Sequence, residues 1–286
     1  MLATGLCFVA VTGIVRYLGT ELPAAQSAFI RFGFGLAFLM PALVSVLRRG
    51  FARGTLRLFI TRGALHTLAV VLWFFAMARI PVAEVTAIGY LNPIVVTLGA
   101  ALMFGEKLAL RRIIAICVAV VGALIVLRPG LRVIEPGHWA QLGAAVSFGL
   151  SYLIAKRLSE QVPASAVVAM MSLTVTVGLA PFAAMVWVPV TLVQCGWLAL
   201  VAVFATGGHY CMTRAFAAAP MTVTQPVTFL QLVWATALGA LLFSEPVDPW
   251  VIVGGALIIA AISYMTWREA QLRRRAITPL VGAPKL

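Results

Sequence analysis

Apolar residues run almost unbroken at about 2–18, 24–46, 58–79, 82–104, 110–127, 138–155, 164–187, 195–219, 221–243 and 249–267, each run bounded by charge, proline or glycine. Alternation of period two is absent and several runs exceed 20 residues, which predicts helices and not barrel strands. A hydrocarbon core of ~30 Å takes about 20 helical residues to cross. The pattern therefore predicts ten membrane crossings joined by short connections, with no segment left to fold as a water-soluble domain.

Composition agrees. Of 286 residues 63% are apolar and 10% charged, and the mean hydropathy is +1.06. A soluble domain is nearer half apolar and a quarter charged, so most of these side chains must face lipid. The net charge of +13 does not point to nucleic acid, because the basic residues sit in short clusters between apolar runs. Cys7, Cys117, Cys195 and Cys211 lie inside apolar runs without ligand-like spacing. They read as small hydrophobes, with no disulfide framework, metal or cofactor expected. The first run begins at Met1 without a basic segment before it and reads as a retained helix.

Charge also orients the chain. With the N-terminus in the cytoplasm, 14 Lys and Arg residues fall inside, from Arg48 and Arg49 through Lys107, Lys156 and Arg273 to Lys285. Only Arg16, Arg79, Arg128 and Arg132 fall outside. The positive-inside rule then predicts two cytoplasmic termini and a multi-pass protein of the inner cell membrane.

The chain repeats itself. PVAEVTAIGYLNPIVVTLGAALMFGE, residues 81–106, returns as PMTVTQPVTFLQLVWATALGALLFSE at 220–245. Leu91, Thr97, Ala101, Leu102 and Phe104 recur as Leu230, Thr236, Ala240, Leu241 and Phe243, while Tyr90 and Asn92 become Phe229 and Gln231. RYLGTELPA at 16–24 corresponds to KRLSEQVPA at 156–164, and Pro41 to Pro181. The expected organisation is a five-helix repeat at 1–134, a second at 135–270 and a cytoplasmic tail at 271–286. Five is odd, so the second repeat enters the membrane from the opposite side. The fold class expected is all-α integral membrane, ten transmembrane helices as two inverted five-helix repeats around a central cavity.

The paired Pro-to-Glu segments, Arg31 placed eight residues after Pro23, and the doubled five-helix pattern resemble the EamA-type drug/metabolite transporter superfamily over nearly the whole chain. Within it the chain looks most like the YddG-type exporters of aromatic amino acids. The resemblance implies a cavity walled largely by the third, fourth, eighth and ninth crossings.

Polar groups at bilayer depth are costly and mark cavities or substrate paths. Asn92, Gln231, His66 and His209 fall near the middle of those four crossings, placed to bond the ammonium or carboxylate of a zwitterion. Trp73, Tyr90, Tyr152, Phe229 and Trp234 are placed to stack on a flat side chain. The alternatives are interhelical glue for the polar groups and packing or interfacial anchoring for the rings. Pro93 frees a carbonyl near Gly89, which is tolerable only beside a cavity. Pro226, with the matched pair Pro41 and Pro181, serves as hinge or plain kink. Arg31 either snorkels outward or pairs with Glu21 or a solute, and Arg62 and Arg214 are expected to snorkel. Glu84 sits at the outer end of the fourth crossing, the one acid placed to carry protons. Glu106 and Glu245 are expected to cap or pair locally.

No P-loop is present, so ATP-driven transport is disfavoured. The expected function is secondary export of small amphipathic metabolites, foremost aromatic or other neutral amino acids, by alternating access. Lipophilic cations or drugs are the alternative solutes. A membrane-embedded enzyme on lipid headgroups is the non-transport alternative, disfavoured because no HExxH, paired acids or Ser nucleophile motif occurs. The partners expected are a small-molecule solute and the bilayer. One chain already holds both repeats, so a monomer is expected.

Overall fold

The computed structural model describes residues 1–52, 54–92, 94–96, 98–99, 110–131, 133–218 and 230–277. Within them the chain is all helical, with no strand: α1 Leu2–Leu18, α2 Ala24–Phe38, α3 Met40–Arg49, α4 Thr55–Met77, α5 Val82–Gly89, α6 Leu110–Leu127, α7 Pro136–Ser159, α8 Ala164–Met185, α9 Leu192–Ala218, α10 Leu230–Phe243 and α11 Pro249–Ile277.

Local chemistry sets the helix starts. Pro23, Pro81 and Pro163 each stand at the N-cap of α2, α5 and α8, with φ near the ring-fixed value and ψ extended. Pro136 opens α7 behind Glu135, whose side chain accepts the N3 backbone N–H while the His138 ring accepts the Glu135 N–H. Gly19 closes α1 at φ 59, a conformation in which a Cβ is strained.

A helix stands in each of the ten apolar runs, but two depart from the expected form. The run at 24–46 is two helices, α2 and α3, bent by 68°. Pro41 lies in the first turn of α3, where a missing N–H costs nothing. The run at 82–104 leaves regular helix at Gly89 through a tight turn, Tyr90 N–H to Ala87 O and Leu91 N–H to Ile88 O. The chain is helical again at Asn92. Pro181, the counterpart of Pro41, sits inside an unbroken α8.

Among the described residues α4, α8 and α9 are long and apolar enough to cross a membrane alone, and the bent α2 and α3 make a fourth span if taken as one. α7 has the length, at 24 residues, but carries His138, Gln141, Ser147, Ser151 and Tyr152. All but Tyr152 are buried inside the bundle, so its low hydropathy reflects an interior face. The outside is the reverse, with Met185, Leu192, Leu241 and Leu242 extensively exposed while Arg62, His66 and Thr213 are fully buried. Apolar exterior and polar interior suit a hydrocarbon solvent.

The packing has a pattern. α4 packs on α7 as α9 packs on α1, α4 on α8 as α9 on α2, and α5 on α7 as α10 on α1. The pairs α2 with α8, α5 with α10 and α6 with α11 join helices at equivalent places in the two halves.

Candidate functional site

A cavity of about 210 Å³ lies between α1, α4, the α5 region, α7 and α9. Several of the residues expected to meet solute line it: His66 and Trp73 from α4, Tyr90 and Asn92 after α5, Tyr152 from α7, His209 from α9 and Gln231 from α10. Trp234 is not brought there. Three residues beyond Gln231, it does not line the cavity and is 47% exposed on the outside of the bundle. Phe229, Pro93 and Pro226 lie outside the described residues.

At the centre of the lining, His66 and His209 meet edge to face with ring centroids 5.3 Å apart. His66 Nδ1 bonds Ser151 Oγ at 3.1 Å, and its ring also meets Phe148 at 5.1 Å and Phe32 at 6.0 Å. His209 meets Phe8 of α1 at 5.1 Å. That approach depends on Gly208, where a Cβ would stand 2.9 Å from the Phe8 ring. Phe148 and Tyr152 stack one turn apart on α7, centroids 5.7 Å and planes 13° apart. Gly149 lets the chain at Asn92 lie against α7, since a Cβ there would be 2.9 Å from the Asn92 carbonyl oxygen.

Two arginines come to this place. Arg31, expected to snorkel or to pair, is buried and lines the cavity, its guanidinium 3.8 Å over the Phe32 ring. It does not meet Glu21, whose carboxylate instead accepts from Gln194 at 3.0 Å. Arg62 does not snorkel. It is fully buried, donating to Val167 O at 2.9 Å and to Met171 Sδ at 3.2 Å. Its position one turn before His66 on the inward face of α4 explains the error, because a long stem can also reach sideways between helices. Arg214 is exposed and, among the described residues, reaches the Tyr210 hydroxyl at 3.3 Å.

Sequence reasoning missed Gln141, Phe148, Phe8 and Thr12, which also line the cavity. Gln141 carried the same signal as Asn92, an amide inside an apolar run. Its Nε2 donates to Val85 O at 2.8 Å, which turns its oxygen away from that contact. Asn92 Oδ1, Gln141 Oε1, His66 Nε2, His209 Nδ1 and Arg62 Nε are buried without a hydrogen-bond partner among the described residues. Buried polar atoms left this way are rare in folded proteins, and each calls for an explanation.

The acids lie elsewhere. Glu84, buried in the first turn of α5, accepts from His138 Nε2 at 2.7 Å. Because His138 Nδ1 accepts the Glu135 N–H at 3.0 Å, the other ring nitrogen is the donor. Glu245 does not pair locally. It takes Arg16 Nη2 at 2.7 Å and the Val82 N–H at 2.9 Å, joining α10 to α1 and to the start of α5.

Comparison with known proteins follows the same division of the chain. The profile of the EamA-like transporter family matches residues 1–128 and again 135–267. The S-adenosylmethionine uptake transporter of Rickettsia bellii is 25% identical over 92% of this chain and 90% of its own length. The pseudopaline exporter CntI of Pseudomonas aeruginosa is 28% identical over 89% and 90%. The riboflavin transporter of Vibrio cholerae is 24% identical over 96% and 94%. A solved crystal structure superposes with a TM-score of 0.62 at 20% identity, covering 96% of this chain and 99% of the other, and it carries the fold alone. These relatives are membrane transporters of small metabolites. None of the three is named for aromatic amino acids, and one is an uptake transporter while another is an exporter.

Proposed function

The chain belongs to the EamA-like transporter family, and from that premise we propose that it is a secondary transporter exporting aromatic or other neutral amino acids from the cytoplasm by alternating access. The observation that carries this reading is a cavity in which amides, imidazoles and rings from both halves of the chain converge. Such a lining matches a small solute with a polar head and a flat body, the head taken by Asn92, Gln231, His66 and His209 and the body by Trp73, Tyr90 and Tyr152.

The two halves are inverted repeats of five crossings each, 1–134 and 135–270, in an inner membrane with both termini cytoplasmic. In support, the principal helix contacts of one half recur in the other when the halves are exchanged, and the family profile matches twice. An inverted pair exchanging conformations opens first one side and then the other around a fixed midplane site. Pro41 serves as a hinge in this reading, which the 68° bend between α2 and α3 beside it supports. A monomer suffices, since one chain supplies both halves.

The test is flux. Purified protein in liposomes is expected to move labelled phenylalanine down its gradient, with His209→Ala and Asn92→Ala each slowing it at least about tenfold, the scale of a lost buried hydrogen bond. Wild-type protein that moves no neutral amino acid, or variants that move it at the wild-type rate, would defeat the reading.

A further inference from the structure

The described acids are all engaged away from the cavity. Of the eight acids in the sequence, the side chains of Glu106 and Glu269 lie outside the description. The others are held at Gln194, His138, the α7 N-terminus, Lys156, Arg16 and Arg128. No carboxylate among the described residues reaches Arg31 or Arg62, and no N–H of Arg31 meets an acceptor there.

A guanidinium remains charged in any protein environment. Two of them inside an apolar bundle without a counter-ion are an unfavourable arrangement. Arg62 stands one turn before His66 on α4, and Arg31 lies over the Phe32 ring, which meets His66 at 6.0 Å, so the charge is concentrated at one end of the lining. There Arg31 lies in the wall of the cavity, and His66 Nε2 and His209 Nδ1 lack partners. The unpartnered oxygens of Asn92 and Gln141, which accept and cannot donate, come from the α5 region and α7.

We propose that the Arg31, His66 and His209 end of the cavity is an oxyanion subsite, which takes a carboxylate or phosphate group of the solute against the Arg31 guanidinium. The proposal rests on the cavity being the solute site and names what the solute must carry. Two imidazole nitrogens that can donate in the right tautomer are grouped with the fixed charge, while the unpartnered amide oxygens, which only accept, come from the α5 region and α7. A solute with an anionic group and an ammonium is therefore oriented, anion to Arg31 and ammonium to Asn92 and Gln141, with its apolar body against Trp73 and Tyr90. Arg62 contributes field to this end while its own bonds go to α8. A lipophilic cation lacking an anion would face two buried positive charges, which disfavours that class of solute.

The proposal makes an unusual demand on stability. If Arg31 is held without a counter-ion for the solute's sake, removing its charge relieves the empty protein. Purified full-length protein would be titrated with 3-phenylpropionate, phenyl phosphate and phenethylamine, reading binding affinity and thermal midpoint. Wild type is expected to bind at least one of the two anions about 10- to 100-fold more tightly than the amine, the scale of a charged hydrogen bond. The preferred anion distinguishes carboxylate from phosphate. Arg31→Gln is expected to abolish the preference while melting at or above the wild-type midpoint without ligand, and Arg31→Lys to keep most of the preference. Equal or tighter binding of phenethylamine, no binding of either anion, or an Arg31→Gln protein that keeps the preference would overturn the subsite. So would an unliganded Arg31→Gln that melts below wild type, because Arg31 would then be a structural residue. Phenylalanine flux by a protein showing no anion preference would overturn the subsite and leave the transport reading standing.

Discussion

Glu245→Gln tests whether the ion pair at one end of the bundle holds that end shut. Glu245 follows α10, where its N–H closes the helix on Gly239 O at 3.1 Å and Ser244 takes φ 53. Gly239 leaves room for the carboxylate, since a Cβ there would stand 2.6 Å from Oε2. One oxygen takes Arg16 Nη2 at 2.7 Å and the other takes the Val82 N–H at 2.9 Å. Arg16 in turn donates to Met77 O at 3.0 Å and Ile80 O at 3.3 Å. The clamp therefore ties α1, the end of α4, the start of α5 and the end of α10 together.

Glutamine has the same shape but only one acceptor oxygen, so its NH2 group must face one of the two donors. The loss is either the charged contact with Arg16, which is close but not aligned as a hydrogen bond, or the Val82 hydrogen bond, about 1.5–3 kcal/mol. The side chains are 22% and 9% exposed, so Arg16 recovers part of this from water. A net of about 2 kcal/mol is expected, roughly 30-fold in the ratio of closed to open forms.

The assay is modification of Thr86→Cys by a membrane-impermeant maleimide, with Cys7, Cys117, Cys195 and Cys211 replaced by serine. Thr86 lines the cavity behind the clamp. Reagent is added from the side proposed to be external, and Glu245→Gln should raise the rate about 10- to 30-fold. Arg16→Gln should act similarly, and the double variant should be no faster than the faster single, because both changes remove the same contact. Rates within twofold of wild type, or effects of the two changes that simply add, would refute the argument.

Two further outcomes are expected. Gly254→Ala should lower stability by about 1–3 kcal/mol in equilibrium unfolding, because its Cβ would stand 2.5 Å from the Gly122 carbonyl oxygen and backbone cannot rotate away. Combined with Gly122→Ala the loss should be less than additive, since one separation of α6 from α11 accommodates both, and full additivity would argue against a shared contact. His138→Leu should cost about 2 kcal/mol by withdrawing the donor from buried Glu84 and the acceptor from the Glu135 N–H, with His138→Gln milder. An unchanged thermal midpoint for His138→Leu would show that the pair adds nothing to the fold.

Much of the architecture was legible because it is a local property of the chain. Apolar runs in lipid have to be helices, since each backbone group must find its partner within the segment. Runs between charge and proline therefore marked where the described helices lie, and the rewritten segment at 220–245 announced a doubled organisation. Asn92, Gln231, His66 and His209 were also visible, because a polar group inside an apolar run is rare enough to notice.

What lay beyond reach was direction around each helix axis and partnership across the bundle. Trp234 and Gln231 are equally plain in the sequence, yet Gln231 lines the cavity and Trp234 is exposed outside. In lipid both faces of such a helix are apolar, so no amphipathic stripe tells inside from outside. The same limit hid the fate of the charges. Arg62 turned inward to α8, Glu245 reached Arg16 across the bundle, and Glu84 met His138, each pair far apart in the chain. Hydropathy and internal repetition along the chain settle which segments become helices and that the pattern occurs twice. Which polar groups share one cavity, and which of them are left without partners, is settled by packing, because that depends on helix rotation and contacts between distant segments, which hydropathy does not encode.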